Sequence, residues 1–315
     1  MALSLLLALG LAEIILRVFC RNAFPALLDE KNVLFQYDAN LGWFPIPNTN
    51  RFFTGSRTIS VQNNSEGFRG PEFKSGALPV IMFLGDSFTW GYDVEARERF
   101  TDKLQARHPE WAIYNLGVSG YGTDQELLLL KQKFDKYCPQ TVFLLICDND
   151  RWDNSSICLG GYYKPHFALD SNRLVLQNTP VPRGERAIFR SHPKLCSSYL
   201  VKFAVRAYCR LFLPAQDEKR PTPTTALLQA LADYVQGKGA RLVVGFTGVF
   251  PGLAEFLNQK HIPWSDLSST NVYHSWGWHW TPEGHDLACD KIEHLLTNET
   301  RRRAEPPNRS SRREE

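Results

Sequence analysis

Ser87 stands in the turn Gly85-Asp86-Ser87-Phe88-Thr89-Trp90-Gly91, directly after the apolar run Val80-Ile81-Met82-Phe83-Leu84. A run of that length with no polar residue reads as a strand buried on both faces. A serine just past its carboxyl end lies where open α/β sheets bind ligands. Serine in a turn is most often only a cap or a turn residue. A serine nucleophile needs a base for its proton and donors for an oxyanion, and three later segments carry such groups. Asn115-Leu116-Gly117-Val118-Ser119-Gly120-Tyr121-Gly122 has the glycines that let a backbone N–H turn into a site. Cys147-Asp148-Asn149-Asp150 offers the Asn149 amide. His279-Trp280-Thr281-Pro282-Glu283-Gly284-His285 offers an imidazole. Each of these alone reads equally well as a turn or a cap.

The elements that must position these groups alternate. Strands are expected at Val80–Leu84, Ala112–Leu116, Val142–Ile146, Leu242–Phe246 and, weakly, Ile262–Leu267. Helices are expected at Phe100–Arg107, 123–137, Thr224–Gln236, 252–260 and after Thr281, where Pro282 suits the first helical position. Such alternation predicts a parallel sheet covered on both faces. Each candidate residue then follows a strand or precedes the last helix. Residues 20–75 mix aromatics with turn formers and read as an extended lead-in, with a short hairpin around Asn63–Gly67. Residues 151–222 interrupt the alternation with an apolar helix near Tyr199–Phe212 and form an insertion on the site side, expected as a lid or substrate wall. The tail 298–315 is charged, contains prolines and is expected to be disordered.

The chain is 43% hydrophobic and 22% charged, a globular composition. Its net charge of +3 rests largely on Arg301–Arg303, Arg312 and Arg313, and nothing marks a nucleic-acid binder. The seven cysteines are scattered without a CxxC pair, so neither zinc nor a complete disulfide framework is implied; a bridge among Cys158, Cys196 and Cys209 stays open. His279 and His285 are six apart without an HExxH pattern, and Asp148, Asp150 and Asp153 are explained by strand-end turns, so no metal or cofactor is expected. His285 reads as a packing or capping residue. Residues 2–19 are apolar except for Ser4, Gly10, Glu13 and Arg17, about one membrane span. The two charges and the missing basic segment before it count against a span. The expectation is an uncleaved anchor for residues 1–19, which puts the rest on the envelope or extracellular side; an amphipathic helix packed on the domain, or a mis-set start, is the alternative.

Taken together, Gly85-Asp86-Ser87, Gly120, Asn149 and His279 resemble the four blocks of the SGNH (GDSL-type) hydrolase family in order and spacing, across about residues 78–297. GDSFTWG and HWTPEGH are the specific segments. The lead-in, with Gly42-Trp43 and Asn64-Ser65-Glu66-Gly67-Phe68-Arg69-Gly70, is similar to that of bacterial envelope-anchored members. The resemblance implies a three-layer α/β/α sandwich with a five-stranded parallel sheet over residues 76–297. It implies Ser87 as nucleophile, His279 as acid and base, and an oxyanion hole from Ser87 N–H, Gly120 N–H and the Asn149 side chain. The substrate class implied is an acyl ester, with a small acyl group such as acetyl on an envelope or extracellular glycan. Trp152, Trp264, Trp276, Trp278 and Trp280 fall near the site and suit sugar rings, though core packing accounts for them equally well.

Two positions depart from the family pattern. The third block opens with Cys147 in place of glycine. The aspartate that usually precedes the catalytic histidine by two or three residues is missing: Gly277 and Trp276 hold those positions. Loss of the orienting acid costs about 10⁴ in rate where it selects the wrong tautomer. Three readings follow. A backbone carbonyl orients His279 in a Ser–His dyad, Asp266 from the preceding strand end takes the acid's place, or the chain is a non-catalytic glycan-binding relative. Acyl transfer by the same Ser–His pair is a further alternative to hydrolysis.

Overall fold

The computed structural model describes residues 2–24, 33–74, 76, 78–171, 173–215, 221–248, 250–275 and 277–304. The lead-in is more regular than its sequence suggests. Phe35–Asp38 (β1) pairs antiparallel with Gly42–Pro45 (β2), and Asn50–Thr54 (β3) with Thr58–Gln62 (β4). Asp38 Oδ1 closes the first turn by accepting from Asn40 N and Leu41 N, each at 2.8 Å. Asn63 bridges to Arg69, and between them Asn64 Oδ1 accepts from Glu66 N and Phe68 N. Short side-chain-to-backbone bonds of this kind make turns that hydrophobic periodicity does not reveal.

The main sheet begins with Val80–Leu84 (β5), followed by Ala112–Asn115 (β6) and Thr141–Ile146 (β7). The insertion then adds two small antiparallel pairs, Cys158–Leu159 (β8) with Tyr162–Tyr163 (β9) and His166–Asp170 (β10) with Arg173–Gln177 (β11), and the helices Glu185–Ser191 and Tyr199–Phe212. Arg241–Phe246 (β12) and Trp264–Asp266 (β13) complete the sheet. Its order is β13-β12-β7-β5-β6, and every pairing is parallel. Because β6 and β7 leave β5 on opposite sides, the sheet reverses direction there, and the crevice beyond the carboxyl ends of β5 and β7 is the expected ligand site.

Side chains alternate across the strands and divide the core into two layers. Met82, Leu84, Leu144 and Val244 join the layer under the helices Thr123–Tyr137 and Thr224–Gly237. Ile81, Phe83, Phe143 and Leu145 join the layer under Phe100–Arg107 and Pro282–Ala304, where Ala288, Ile292 and Leu296 are buried. The result is a three-layer α/β/α sandwich. The last helix continues to Ala304, past the expected start of the disordered tail; residues 305–315 lie outside the described residues.

Residues Ala2–Phe19 form one helix with none of its side chains buried. It is long and apolar enough to cross a membrane. It touches the insertion through its two charges. Glu13 accepts from Ser198 Oγ, Tyr199 N and Leu200 N, and Arg17 donates to Glu13 and to Ser197 O. All seven cysteines are free thiols, so Cys158, Cys196 and Cys209 form no bridge.

Candidate active site

Ser87 opens a one-turn helix, Ser87–Trp90, three residues past the end of β5. Asp86 caps it, with Oδ1 accepting from Phe88 N at 2.9 Å, and as first helical residue Ser87 has no carbonyl within the helix for its own N–H. The β6 loop packs directly on this turn. A Cβ at Gly117 would lie 2.5 Å from Trp90 N, which only glycine avoids, and Gly120 has φ +76°, the left-handed region that favours glycine. The lead-in holds that loop in place. Trp43 Nε1 donates to Ser119 O, Tyr121 Oη donates to Trp43 O, and Gln125 Nε2 donates to Leu41 O. Arg69, buried, donates to Gly91 O, Val94 O and Ser60 O and lies over the Trp90 ring, so it braces the segment that follows the serine. Burial, and then the neighbouring Arg99 charge, lower its guanidinium to about 9.

His279 sits in a chain reversal closed by the bridge of Val272 to Trp280 and by Tyr273 N donating to His279 O. Its Nε2 is 2.8 Å from Ser87 Oγ, and both side chains are buried. Nδ1 has no hydrogen-bond partner among the described residues. The ring is held by packing instead. Tyr92 stacks on it at 4.2 Å between centroids, Phe88 lies 5.2 Å away, and a Cβ at Gly277 would lie 2.3 Å from Cε1. Burial lowers the imidazole to about 4, so it is neutral near neutral pH.

Asp266 does not take the place of the missing acid. Its side chain is exposed and accepts from Ser268 N at 2.8 Å, closing its own turn, and it makes no bond to His279. Trp276, in the other position where the family carries its acid, lies outside the described residues. Cys147 is fully buried, donates to Asp86 Oδ1 at 3.0 Å, and burial pushes its thiol well above the usual range. It is a packing residue and a donor, with none of the thiolate character a nucleophile requires.

Asn149 follows β7 and faces the same cavity as Ser87, Gly120 and His279. Its Nδ2 donates to Asp153 Oδ2 at 2.8 Å and to Asp86 Oδ2 at 3.3 Å. Burial raises the Asp86 carboxyl to about 6, against the bonds from Cys147, Phe88 N and Asn149 that favour its charge. This buried acid, Asp153, Tyr92 and Arg69 are the site residues that sequence reasoning missed. Asp86 was legible only as part of the Gly85-Asp86-Ser87 block, and Tyr92, five residues after the serine, carried no sequence signal. His285 caps the helix Phe100–Arg107: its Nδ1 accepts from Phe100 N at 3.4 Å and its ring stacks on Phe100. The cavity is about 940 Å³. The insertion contributes Asp153, Leu159, Tyr162 and Arg186 to its walls, and the lead-in contributes Phe53. Trp278 lines it and is 59% exposed, while Trp280 also belongs to the core; Trp152 and Trp264 are not among the lining residues.

The model of the GDSL-like lipase/acylhydrolase family matches residues 83–287, from the end of β5 into the last helix. The chain belongs to the GDSL-like lipase/acylhydrolase family. This GDSL hydrolase acts on ester bonds, and its five-stranded parallel sheet is that of the SGNH-type sandwich. It is similar to solved structures at low identity. One is the psychrotrophic esterase EstA from a Pseudoalteromonas species (11% identity, 70% of this chain and 98% of that one, TM-score 0.42). Another is a GDSL-like lipase from Bacteroides thetaiotaomicron (12%, 70% and 88%, TM-score 0.36). A third is a two-domain esterase active on acetylated mannans (11%, 73% and 51%, TM-score 0.39). Comparison with curated proteins finds no match.

Proposed function

We propose that this GDSL hydrolase is a serine esterase working through a Ser87–His279 dyad. The observation that carries the reading is the 2.8 Å contact of His279 Nε2 with Ser87 Oγ, made by an imidazole that burial keeps neutral. Ser87 Oγ attacks the ester carbonyl carbon as its proton passes to His279 Nε2. The tetrahedral oxyanion accepts from Ser87 N–H, Gly120 N–H and Asn149 Nδ2. Collapse breaks the bond to the alcohol oxygen, which leaves with the proton from His279, and water then hydrolyses the acyl-serine by the same steps. In the tautomer with the proton on Nδ1, Nε2 is free to accept from Ser87, and the Tyr92 and Phe88 rings keep the ring plane in place. The same contact speaks against a non-catalytic binding protein.

The substrate in this reading is a small acyl ester, such as acetyl, of a glycan. Exposed Trp278 and the Tyr162 ring at the cavity support a sugar as the alcohol, since aromatic faces pack on apolar ring faces. The helix Ala2–Phe19 is proposed to be an uncleaved anchor that holds the hydrolase at the cell envelope. At about 1.5 Å per residue its 18 residues span about 27 Å, close to the hydrocarbon core of a bilayer.

The test is p-nitrophenyl acetate hydrolysis by the full chain and by Ser87→Ala. The variant should lose at least about 10³-fold in kcat/KM. Equal rates in two folded samples would remove the serine mechanism. Product analysis with an acetylated oligosaccharide, with and without a second sugar as acceptor, separates hydrolysis from transfer.

A further inference from the structure

The helix Tyr199–Phe212 is apolar on two sides. Its inner side packs through Val201, Phe203 and Val205 on Phe24 and Phe189. Its outer side carries Ala204, Ala207, Tyr208 and Leu211 at helical spacing, all exposed, and Leu211 and Phe212 are 75% and 71% exposed. Residues 183–212 contain seven lysines and arginines against one glutamate, so this stretch alone exceeds the +3 net charge of the whole chain. Exposed Lys194 and Arg210 flank the apolar side.

The position of this face is set by the N-terminal helix. Glu13 lies about 17 Å along that helix from Ala2, at the end of its middle third. There it accepts from Tyr199 N and Leu200 N, the first residues of the helix Tyr199–Phe212, while Arg17 holds Ser197 O. A helix whose residues 2–12 enter the bilayer therefore brings the start of Tyr199–Phe212 to headgroup level on the side of entry.

We propose that the exposed face of Tyr199–Phe212 lies in the membrane–water interface, with a bilayer containing anionic lipid as its partner. The apolar residues enter the acyl boundary and the basic residues meet lipid phosphates. Glu13 and Arg17, the two charges that argue against a simple span, are the latch between anchor and interfacial helix. The helix Glu185–Ser191 carries Arg186 into the cavity wall and is joined to Tyr199–Phe212 by the Glu185–Arg206 ion pair. The insertion wall of the cavity is thus one helix away from the lipid. The inference rests on the anchor reading, and the experiment separates the two.

The full chain is reconstituted in vesicles of phosphatidylcholine and phosphatidylglycerol with a photoreactive residue at one site: Leu6→p-benzoylphenylalanine, Leu211→p-benzoylphenylalanine or, as control, Leu287→p-benzoylphenylalanine, another exposed leucine. Lipid adducts are read by mass spectrometry. The expected result is adducts at Leu6 and Leu211 and loss of signal to background at Leu287. Adducts at Leu6 without any at Leu211 would overturn the interfacial helix and leave the anchor standing. None at Leu6 would overturn both. A cross-linked dimer at Leu211 would assign the face to a second copy. Adding Glu13→Ala should lower the Leu211 yield and spare that of Leu6; an unchanged Leu211 yield would overturn the latch.

Discussion

The Tyr92 ring lies against the His279 imidazole, with centroids 4.2 Å apart and planes inclined by 24°. Tyr92 follows Ser87, the proposed nucleophile, by five residues, so the same loop presents Ser87 and packs on His279. Nδ1 lacks a hydrogen-bond partner among the described residues, and in the proposed dyad this stacking holds the ring plane in place of an orienting carboxylate. An aromatic contact of this kind is worth about 0.5–1.5 kcal/mol, a few-fold to about tenfold in rate. Tyr92→Leu should lower kcat by that factor with KM little changed, and Tyr92→Phe should restore most of it. Steady-state kinetics on p-nitrophenyl acetate provide the check. A loss confined to KM would make Tyr92 a substrate contact and not a positioning residue.

The pH profile follows from burial. In the proposed dyad His279 accepts a proton from Ser87 only while neutral, and burial lowers its imidazole from 6.5 to about 4. Activity should therefore persist on acidification, with the acid limb of kcat/KM near pH 4. Burial raises Asp86 to about 6, so a limb near 6 that disappears in Asp86→Asn would assign the profile to Asp86.

Asn149 has two tasks in the proposed site. As an oxyanion donor its loss in Asn149→Ala should cost about 2.7–4 kcal/mol of transition-state stabilisation, or about 10²–10³ in kcat. It also donates to Asp86 and Asp153, and removing it leaves two carboxylates short of a donor, at about 1–3 kcal/mol of stability. Stability therefore falls together with turnover, where the sequence alone suggests turnover would fall by far the more. Denaturant unfolding measured beside kcat separates the two effects. A stable variant with unchanged kcat would take Asn149 out of the oxyanion hole.

Lys164 and Asp124 form a fully buried ion pair, and Lys164 Nζ also donates to Asp153 O at 2.8 Å. The pair joins the insertion to the helix that follows the Gly120 loop. Lys164→Met should destabilise by about 3–5 kcal/mol, because it strands a buried carboxylate, and Asp124→Leu combined with Lys164→Met should recover most of that. The guanidinium chloride midpoints of the parent and the two variants are the measurement. A single variant as stable as the parent would mean that water reaches Asp124.

The alternation of apolar strands with amphipathic helices was legible from residue 80 onward, because strand and helix periods are local properties of the chain. The residues at the strand ends were legible for the same reason. Ser87, Gly120 and Asn149 follow β5, β6 and β7, and His279 precedes a helix marked by Thr281 and Pro282. What orients His279 was not legible. Asp266 was the nearest acid on a preceding strand end, but its carboxylate closes its own turn through Ser268 N. Tyr92 reaches the ring across 187 positions of chain, a contact that exists only once the sheet has brought the segments after β5 and β13 to one cavity. The lead-in likewise read as extended, since its hairpins rest on Asp38 and Asn64 bonding to nearby backbone, and its bond from Trp43 to Ser119 spans 76 residues. Sequence pattern thus determined which residues stand at the crevice, because that depends on periods of two and 3.6. Tertiary structure alone decided which of them touch, because closure brings together residues whose separation no local period encodes.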